Sequence, residues 1–236
     1  MRYYSTAVFA ALVLVSTSLA AQPFQEGRHF DRVGTPTVTP EDRVVVTDAF
    51  AYPCPACRRF LPVMEAWKAD QPDYVEVQRL PVALQPGWDL FARAFYTAEV
   101  MGLLDDSHEA LFKAVHDERR SMRSFDDIAG FYEQYGVSAS SFKNTAQSFA
   151  VDASMRQNRN EVRGFGVRGT PTVVVQGKWR VSPSGFNSYD EMMEVVDYLV
   201  AREAEALGLG EGANQASEAA EEAGPAADEQ SATESG

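Results

Sequence analysis

The only two cysteines of the chain, Cys54 and Cys57, are separated by two residues and follow an apolar run. That run, Val44–Phe50, has the density of β-branched residues typical of a buried strand, and apolar residues recur at helical spacing after Cys57. Pro55 suits the first turn of this helix, where a missing backbone N–H costs nothing. The sequence therefore predicts that Cys54 caps a helix and that Cys57 lies one turn further along the same face.

This placement predicts a redox-active dithiol. The unpaired N–H groups and the positive end of the helix dipole favour an anion, so the Cys54 thiol should ionise more readily than a free thiol. A thiolate is the species that attacks disulfide bonds. We therefore interpret Cys54 as the nucleophile and Cys57 as the shielded, resolving thiol.

Three other uses of the two cysteines compete with this interpretation. A purely structural disulfide would close a ring so short that it restrains little of the unfolded chain. Zinc needs about four ligands and would have to recruit the scattered His29, His108 and His116. Copper(I) could use the dithiol alone, with or without a methionine, which makes a copper carrier the serious alternative among binding proteins.

An export signal is predicted at residues 1–20. Arg2 supplies the positive start, residues 7–15 form a short apolar core, and Ser18, Leu19 and Ala20 precede the expected cleavage point. An uncleaved anchor is the alternative. Export implies an oxidising compartment in which disulfides form and persist, so a closely spaced cysteine pair there favours catalysis of disulfide exchange.

Composition limits the partners and the number of folded bodies. The chain has 236 residues, 45% of them hydrophobic, which is enough for one main core with a sizeable insertion. Its formal net charge of -13 argues against nucleic acid as a partner, because neutralising phosphates needs a basic surface.

Periodicity divides the mature chain into segments. A strand, a helix from Pro55 to about residue 68 and a second strand at 74–82 predict parallel pairing, and helical spacing prevails from Trp88 to about Arg163. Gln176-Gly177 between two β-rich runs predicts a hairpin, and residues 188–207 a final helix. We thus expect a first sheet part at 21–86, a helical insertion at 87–163, a second sheet part at 164–207 and a disordered acidic tail at 208–236.

Two motifs together carry a resemblance to a known family. Cys54-Pro55-Ala56-Cys57 at a helix start, with Gly169-Thr170-Pro171-Thr172 opening the late hairpin, resembles the thioredoxin superfamily, and the helical insertion is similar to that of the DsbA family. The resemblance covers about residues 22–207. It implies an α/β, thioredoxin-like fold with an inserted helical domain.

The resemblance also implies roles for individual residues. The pair matching Thr170-Pro171 has a cis peptide bond beside the dithiol, where the backbone pairs with an extended substrate. Asp48 matches a buried acid that could carry protons for Cys57, the alternative being a surface acid at the end of a strand. Ala56 departs from the family, because strongly oxidising members commonly have histidine there, and we expect a weaker oxidant.

The function implied is that of a periplasmic thiol:disulfide oxidoreductase that passes the Cys54–Cys57 disulfide to exported proteins. The resemblance implies that a quinone-linked membrane partner similar to DsbB re-oxidises the dithiol. We expect this protein to need no organic cofactor and no metal, and to be a monomer. A reductase or isomerase that uses the same residues in reverse stays open, although no dimerisation domain is evident. The copper carrier is the third hypothesis.

Overall fold

The computed structural model describes residues 23–37 and 39–209, so the predicted signal peptide and nearly all of the predicted acidic tail lie outside the described residues. Within them the chain forms five strands, seven α-helices and one 3-10 turn at Tyr132–Tyr135. In chain order the elements are β1 (Asp31–Arg32), β2 (Val44–Phe50), α1 (Pro55–Ala69), β3 (Val75–Pro81), α2 (Trp88–Val100), α3 (Leu104–His116), α4 (Phe125–Phe131), α5 (Ala139–Ala146), α6 (Phe149–Gly164), β4 (Thr172–Val175), β5 (Trp179–Val181) and α7 (Tyr189–Leu207).

The strands form one mixed sheet in the order β1-β5-β4-β2-β3. The predicted parallel pairing of β2 with β3 is confirmed, and the other neighbours are antiparallel. All seven residues of β2 are buried, as expected for a central strand covered on both faces. Because β2 and β3 are parallel, their carboxyl ends lie at the same end of the sheet, and the dithiol follows β2 there.

The N-terminal arm packs on the hairpin, and the hairpin turn matches its prediction. Phe30 is buried, and its ring meets that of Trp179 edge to face at 5.6 Å between centroids. Gln176 and Gly177 have φ values of 50° and 57°. Two consecutive positive φ angles are what a two-residue hairpin turn requires, so the turn connects β4 and β5 with their natural twist.

The segment between β3 and β4 is helical, from α2 to α6. A capping box opens α4, because the side chains of Ser124 and Asp127 each accept a hydrogen bond from the other's backbone N–H. Gly136 adopts the left-handed conformation at φ 80° and ends the 3-10 turn, and Ser138 then caps α5.

The core of this helical insertion extends as far as the dithiol. Cys54, Cys57 and Tyr52 belong to the same buried cluster as Phe91 and Phe112 of the insertion. A separate cluster fills the space between the sheet, α1 and α7. Each fully buried aromatic ring of this kind contributes about 1.5–3 kcal/mol from removal of apolar surface from water. The insertion therefore packs directly against the loop that presents the two cysteines.

The helices of the described part of the chain, residues 23–37 and 39–209, are those of a folded body packed on a sheet. None of them combines the length and the apolar character that a membrane-spanning helix needs.

Candidate active site

The first cysteine occupies the position that the sequence predicts. Cys54 is the N-cap of α1, with extended backbone angles of φ -84° and ψ 115°, and Pro55 fills the first turn. The Cys54 N–H donates to the carbonyl of Ala51 at 3.0 Å, which fixes the loop before the helix. Only 8% of Cys54 and 2% of Cys57 are exposed, so the structure shields Cys57 more than Cys54.

The two thiols have opposite acidities. A hydrogen bond from the Cys57 thiol lowers the pKa of Cys54 to about 5, with further help from the backbone N–H groups of Cys57 and Ala56. The same hydrogen bond holds the proton on Cys57, and together with burial it raises the pKa of Cys57. Both cysteines are free thiols, so the structure is that of the reduced dithiol, with the negative charge favoured on Cys54.

The loop that precedes the β4–β5 hairpin lies against the first cysteine. Cys54 Sγ is 3.4 Å from the carbonyl oxygen of Thr170, and the Thr170–Pro171 peptide bond is cis, as the resemblance implied. Thr172 Oγ1 donates to the carbonyl of Gly169 at 2.9 Å and stabilises the turn. The structure thus brings Cys54, Cys57 and Thr170-Pro171 together, although 116 positions separate Cys54 from Thr170.

Asp48 is enclosed within the sheet. It is 4% exposed, lies opposite Arg79 of β3, and its Oδ1 has no hydrogen-bond partner among the described residues. Burial raises the pKa of Asp48 to about 7, against the opposing effect of Arg79, which itself pairs with Glu65 at 2.8 Å. The surface-acid alternative for Asp48 is therefore wrong.

Proteins of similar sequence show the family to which this chain belongs. A family model described as a DSBA-like thioredoxin domain matches residues 89–197. The thiol:disulfide interchange protein DsbA of Pseudomonas aeruginosa is 30% identical over 199 residues, which cover 84% of this chain and 94% of that protein. The chain belongs to the DsbA family of thiol:disulfide oxidoreductases. The DsbA of Burkholderia cepacia is likewise 30% identical, over 197 residues that cover 80% of this chain and 93% of that protein.

Solved structures of DsbA proteins give the same assignment. The oxidoreductase DsbA from Xylella fastidiosa superposes with a TM-score of 0.71 at 30% identity, over 77% of this chain and 98% of that one. DsbA from Pseudomonas aeruginosa superposes with a TM-score of 0.71 at 30% identity, over 78% of this chain and 96% of that one. The predicted fold class, an α/β thioredoxin-like fold with an inserted helical domain, is confirmed.

In this DsbA-family site, the third residue of the motif supplies no charge. Ala56 is half-buried, and its methyl group packs on the cluster that contains both cysteines. Its carbonyl accepts a hydrogen bond from the Tyr189 hydroxyl at 3.1 Å, so the start of α7 is tied to the dithiol helix. The low pKa of Cys54 therefore depends on Cys57 and on the backbone of α1.

Two histidines that sequence reasoning considered only as metal ligands instead hold Tyr52. His108 Nδ1 shares a hydrogen bond of 2.8 Å with the Tyr52 hydroxyl, and His116 Nε2 donates to the Tyr52 carbonyl at 2.7 Å. Burial lowers the pKa of His108 to about 3, so this ring is neutral. The one signal in the sequence is the spacing of His108, Phe112 and His116, which places all three near one face of α3.

An ion pair adds a further link between the insertion and the dithiol helix. Arg58, next to Cys57, pairs with Asp117 just beyond α3, with 2.7 Å between NH2 and Oδ2. Among residues 23–37 and 39–209, no three side chains of His, Cys, Asp or Glu are grouped so that they could hold a metal ion. The polar groups around the dithiol are thus arranged to bond one another and the backbone.

Proposed function

We propose that this DsbA-family chain is a periplasmic oxidant that transfers a Cys54–Cys57 disulfide to exported proteins. The observation that carries the proposal is an acidified Cys54 sulfur lying 3.4 Å from the Thr170 carbonyl. An extended client strand can pair with the Thr170 backbone and bring its own sulfur to Cys54. Such main-chain pairing reads no side chain and therefore accepts many clients.

The first step forms a mixed disulfide. A client thiolate attacks Cys54 Sγ, the Cys54–Cys57 bond breaks, and the electron pair goes to Cys57, which takes up a proton. The raised pKa of Cys57 favours its protonated form as soon as it leaves. Asp48, whose pKa of about 7 keeps part of its population protonated at neutral pH, is the proposed proton carrier for Cys57.

The second step releases the oxidised client. A second client thiolate attacks the client sulfur of the mixed disulfide, and Cys54 leaves as a thiolate, which its low pKa favours. The client has lost two electrons and two protons, and the enzyme has gained a dithiol. A quinone-linked membrane partner similar to DsbB would remove those electrons, and the predicted export signal supports the periplasm as the compartment.

Two serine variants test the assignment of the cysteines. The oxidised protein should transfer its disulfide to a reduced, unfolded test protein, while Cys54→Ser should lose at least about a thousandfold in rate because no Cys54–Cys57 disulfide can form. Cys57→Ser, incubated with a disulfide-containing client, should instead accumulate a mixed disulfide: its Cys54 thiolate attacks the client disulfide and releases one client thiolate, no second thiol resolves the product, and mass spectrometry identifies it. Undiminished transfer by Cys54→Ser would contradict the proposal.

Ala56 favours a second candidate, a periplasmic reductase, because no cation at this position stabilises the reduced form. Acid quenching and thiol alkylation of intact cells distinguish the two directions. A Cys54–Cys57 pair found mostly oxidised supports the oxidant, and a pair found mostly reduced supports the reductase.

A further inference from the structure

A cavity of about 650 Å³ lies beside the cis-proline loop, between α6 and the segment that follows β3. Its apolar wall consists of Leu84, Met155, Val162 and Val167. Leu84 is 39% exposed, one of the few large hydrophobic side chains at the surface of the described residues. An exposed apolar wall next to a reactive site is typical of a surface that a partner covers.

Three arginines, Arg159, Arg163 and Arg168, line the same cavity, with Asp89 as the one acid of its wall. None of the three lies within 4 Å of a carboxylate oxygen among the residues that the structure describes. Arg163 donates to the side chain of Asn160, a neutral group. We call this site the arginine cavity.

Other arginines of the chain form ion pairs with carboxylates. Arg93 pairs with Asp152 at 2.9 Å, and Arg180 pairs with Asp31 at 2.9 Å. In a chain with a formal net charge of -13, three guanidinium groups without a carboxylate partner in one cavity are a local excess of positive charge. The negative end of the α6 dipole stabilises the positive charge of Arg163, which lies in the last turn of that helix. Arg168 lies beyond the end of α6, so the dipole does not explain its position.

The arginine cavity is continuous with the reactive site. Gly166 and Arg168 line both this cavity and the adjoining cleft formed by Thr170, Pro171 and Thr172. The carboxyl end of β3, from which Leu84 departs, lies at the same end of the sheet as the dithiol, and the Val82 N–H donates to the Phe50 carbonyl at 2.6 Å. A strand of client that pairs with Thr170 therefore carries its flanking residues toward the arginine cavity.

We propose that the arginine cavity is a client subsite that binds an acidic side chain next to an apolar one in the segment flanking the reacting cysteine. The inference rests on the proposed function, because it takes the client strand to lie along Thr170. The subsite makes this enzyme prefer client segments of one sequence type over others. Main-chain pairing alone does not supply such a preference.

The acidic segment at residues 210–236 is the competing occupant. It has seven carboxylates, but alanine, glycine, serine and other small or polar residues make up the rest, with no leucine, valine, isoleucine, methionine or aromatic residue. Such a segment complements the arginines and leaves the apolar wall uncovered. A client segment that pairs an acid with a leucine or phenylalanine complements both features of the cavity.

Binding of labelled peptides tests the subsite without requiring turnover. Three cysteine-free peptides differ only in carrying Leu-Glu, Leu-Gln or Leu-Lys beside a serine that replaces the reacting cysteine, and fluorescence anisotropy gives their Kd values with the full chain. The Leu-Glu peptide should bind about fivefold more tightly than the Leu-Gln peptide at low salt. Equal affinities of the native protein for all three peptides would overturn the proposal.

The matched variants lie on one helix. Arg159→Gln combined with Arg163→Gln should abolish the preference for Leu-Glu and leave Leu-Gln binding unchanged. Arg156→Gln is the control, since Arg156 stacks over Phe149 at 5.7 Å and does not line the cavity. A loss of preference in the Arg156 variant as large as that in the double variant would show general charge attraction and contradict the subsite.

Two further measurements distinguish this inference from its competitors. The same three peptides with two cysteines should be oxidised in the order Leu-Glu, Leu-Gln, Leu-Lys. If no peptide is oxidised while anisotropy still separates them, the proposed function fails and the subsite stands. If the preference appears only after all seven acids of residues 210–236 are changed to amides in the full chain, the tail occupies the cavity and the proposal is overturned.

Discussion

Two buried carboxylates show how differently the two ends of the sheet are built. Asp48 of β2 and Glu203 of α7 are each 4% exposed. Glu203, near the amino end of β2, accepts hydrogen bonds from Lys178 Nζ at 2.7 Å and from Trp179 Nε1 at 2.5 Å. Asp48, toward the dithiol end, has an Oδ1 with no partner among the described residues.

The difference separates a buried carboxyl group that neighbouring donors satisfy from one whose Oδ1 has no partner among the described residues. Glu203 is satisfied by neighbours that hold α7 against the hairpin, as a buried charge must be if it is to stabilise the fold. Asp48 is left without such partners, so burial raises its pKa to about 7. The buried carboxylate of Asp48 lowers the free energy of unfolding at neutral pH. The same carboxyl group can take up or release a proton near the dithiol.

Asp48→Asn should give the largest change in stability. The folded-state pKa of about 7 lies above the ordinary 3.8, so the contribution of Asp48 to stability is fully present below about pH 4 and is lost as the pH rises through 7. The asparagine variant cannot ionise. Urea unfolding should show it more stable than the native protein by about 4 kcal/mol at pH 8 and equal to it near pH 4. Parallel pH profiles of the two proteins would contradict this account.

Glu203→Gln, the isosteric counterpart at the other end, should act in the opposite direction. Loss of the charge weakens the hydrogen bonds from Lys178 and Trp179, and the unfolding free energy should fall by about 2 kcal/mol at pH 8. The same urea series measures both variants. A stabilising effect of Glu203→Gln would remove the contrast between the two carboxylates.

Tyr52→Phe should have a smaller effect at the dithiol end. The change removes the hydrogen bond between Tyr52 and His108 and leaves His108 Nδ1 buried without a partner, at a cost of about 1 kcal/mol. Tyr74→Phe, which removes the hydroxyl of a half-buried tyrosine just before β3, is the control in the same unfolding experiment. No loss of stability in Tyr52→Phe would show that the insertion is not held to the active-site loop by this bond.

Ala56→His should produce the smallest change, expressed in the reduction potential. A charged imidazole at the start of α1 should stabilise the Cys54 thiolate by about 0.3–1 kcal/mol, which raises the potential by roughly 10–20 mV against glutathione. The increase should be larger at pH 6 than at pH 8, because free histidine has a pKa of about 6.5. Ala56→Gln is the uncharged control, and an unchanged or lower potential in Ala56→His would contradict the prediction.

Local patterns were sufficient for much of the fold and for the pair of sulfurs. The β-branched run of β2, Pro55 in the first turn of α1, and Gln176-Gly177 each act through nearby backbone geometry, which a sequence displays directly. Asp48 could be proposed as a buried acid, but the lack of a partner for its Oδ1 depends on how β3 and β4 pack on either side of β2. The missing hydrogen-bond partner of Asp48 is therefore visible only in the structure.

Apart from the meeting of the dithiol with Thr170-Pro171, which the family resemblance implied, contacts between distant segments were not accessible from the sequence. His108 and His116 meet Tyr52 across 56 and 64 positions, and helical spacing on α3 cannot say which loop that face will cover. The arginine cavity likewise joins the segment after β3 to α6 and to the cis-proline loop. Tertiary packing alone brings these side chains together.

The account depends most directly on the acidity of Cys54 in the reduced protein. Alkylation by iodoacetamide, followed over pH 3–10 with mass spectrometry to locate the label, measures the thiolate at each cysteine separately. The rate at Cys54 should rise with a midpoint near pH 5, while Cys57 stays unmodified over the same range. A Cys54 midpoint near the value of a free thiol, about 8.5, would contradict the central claim.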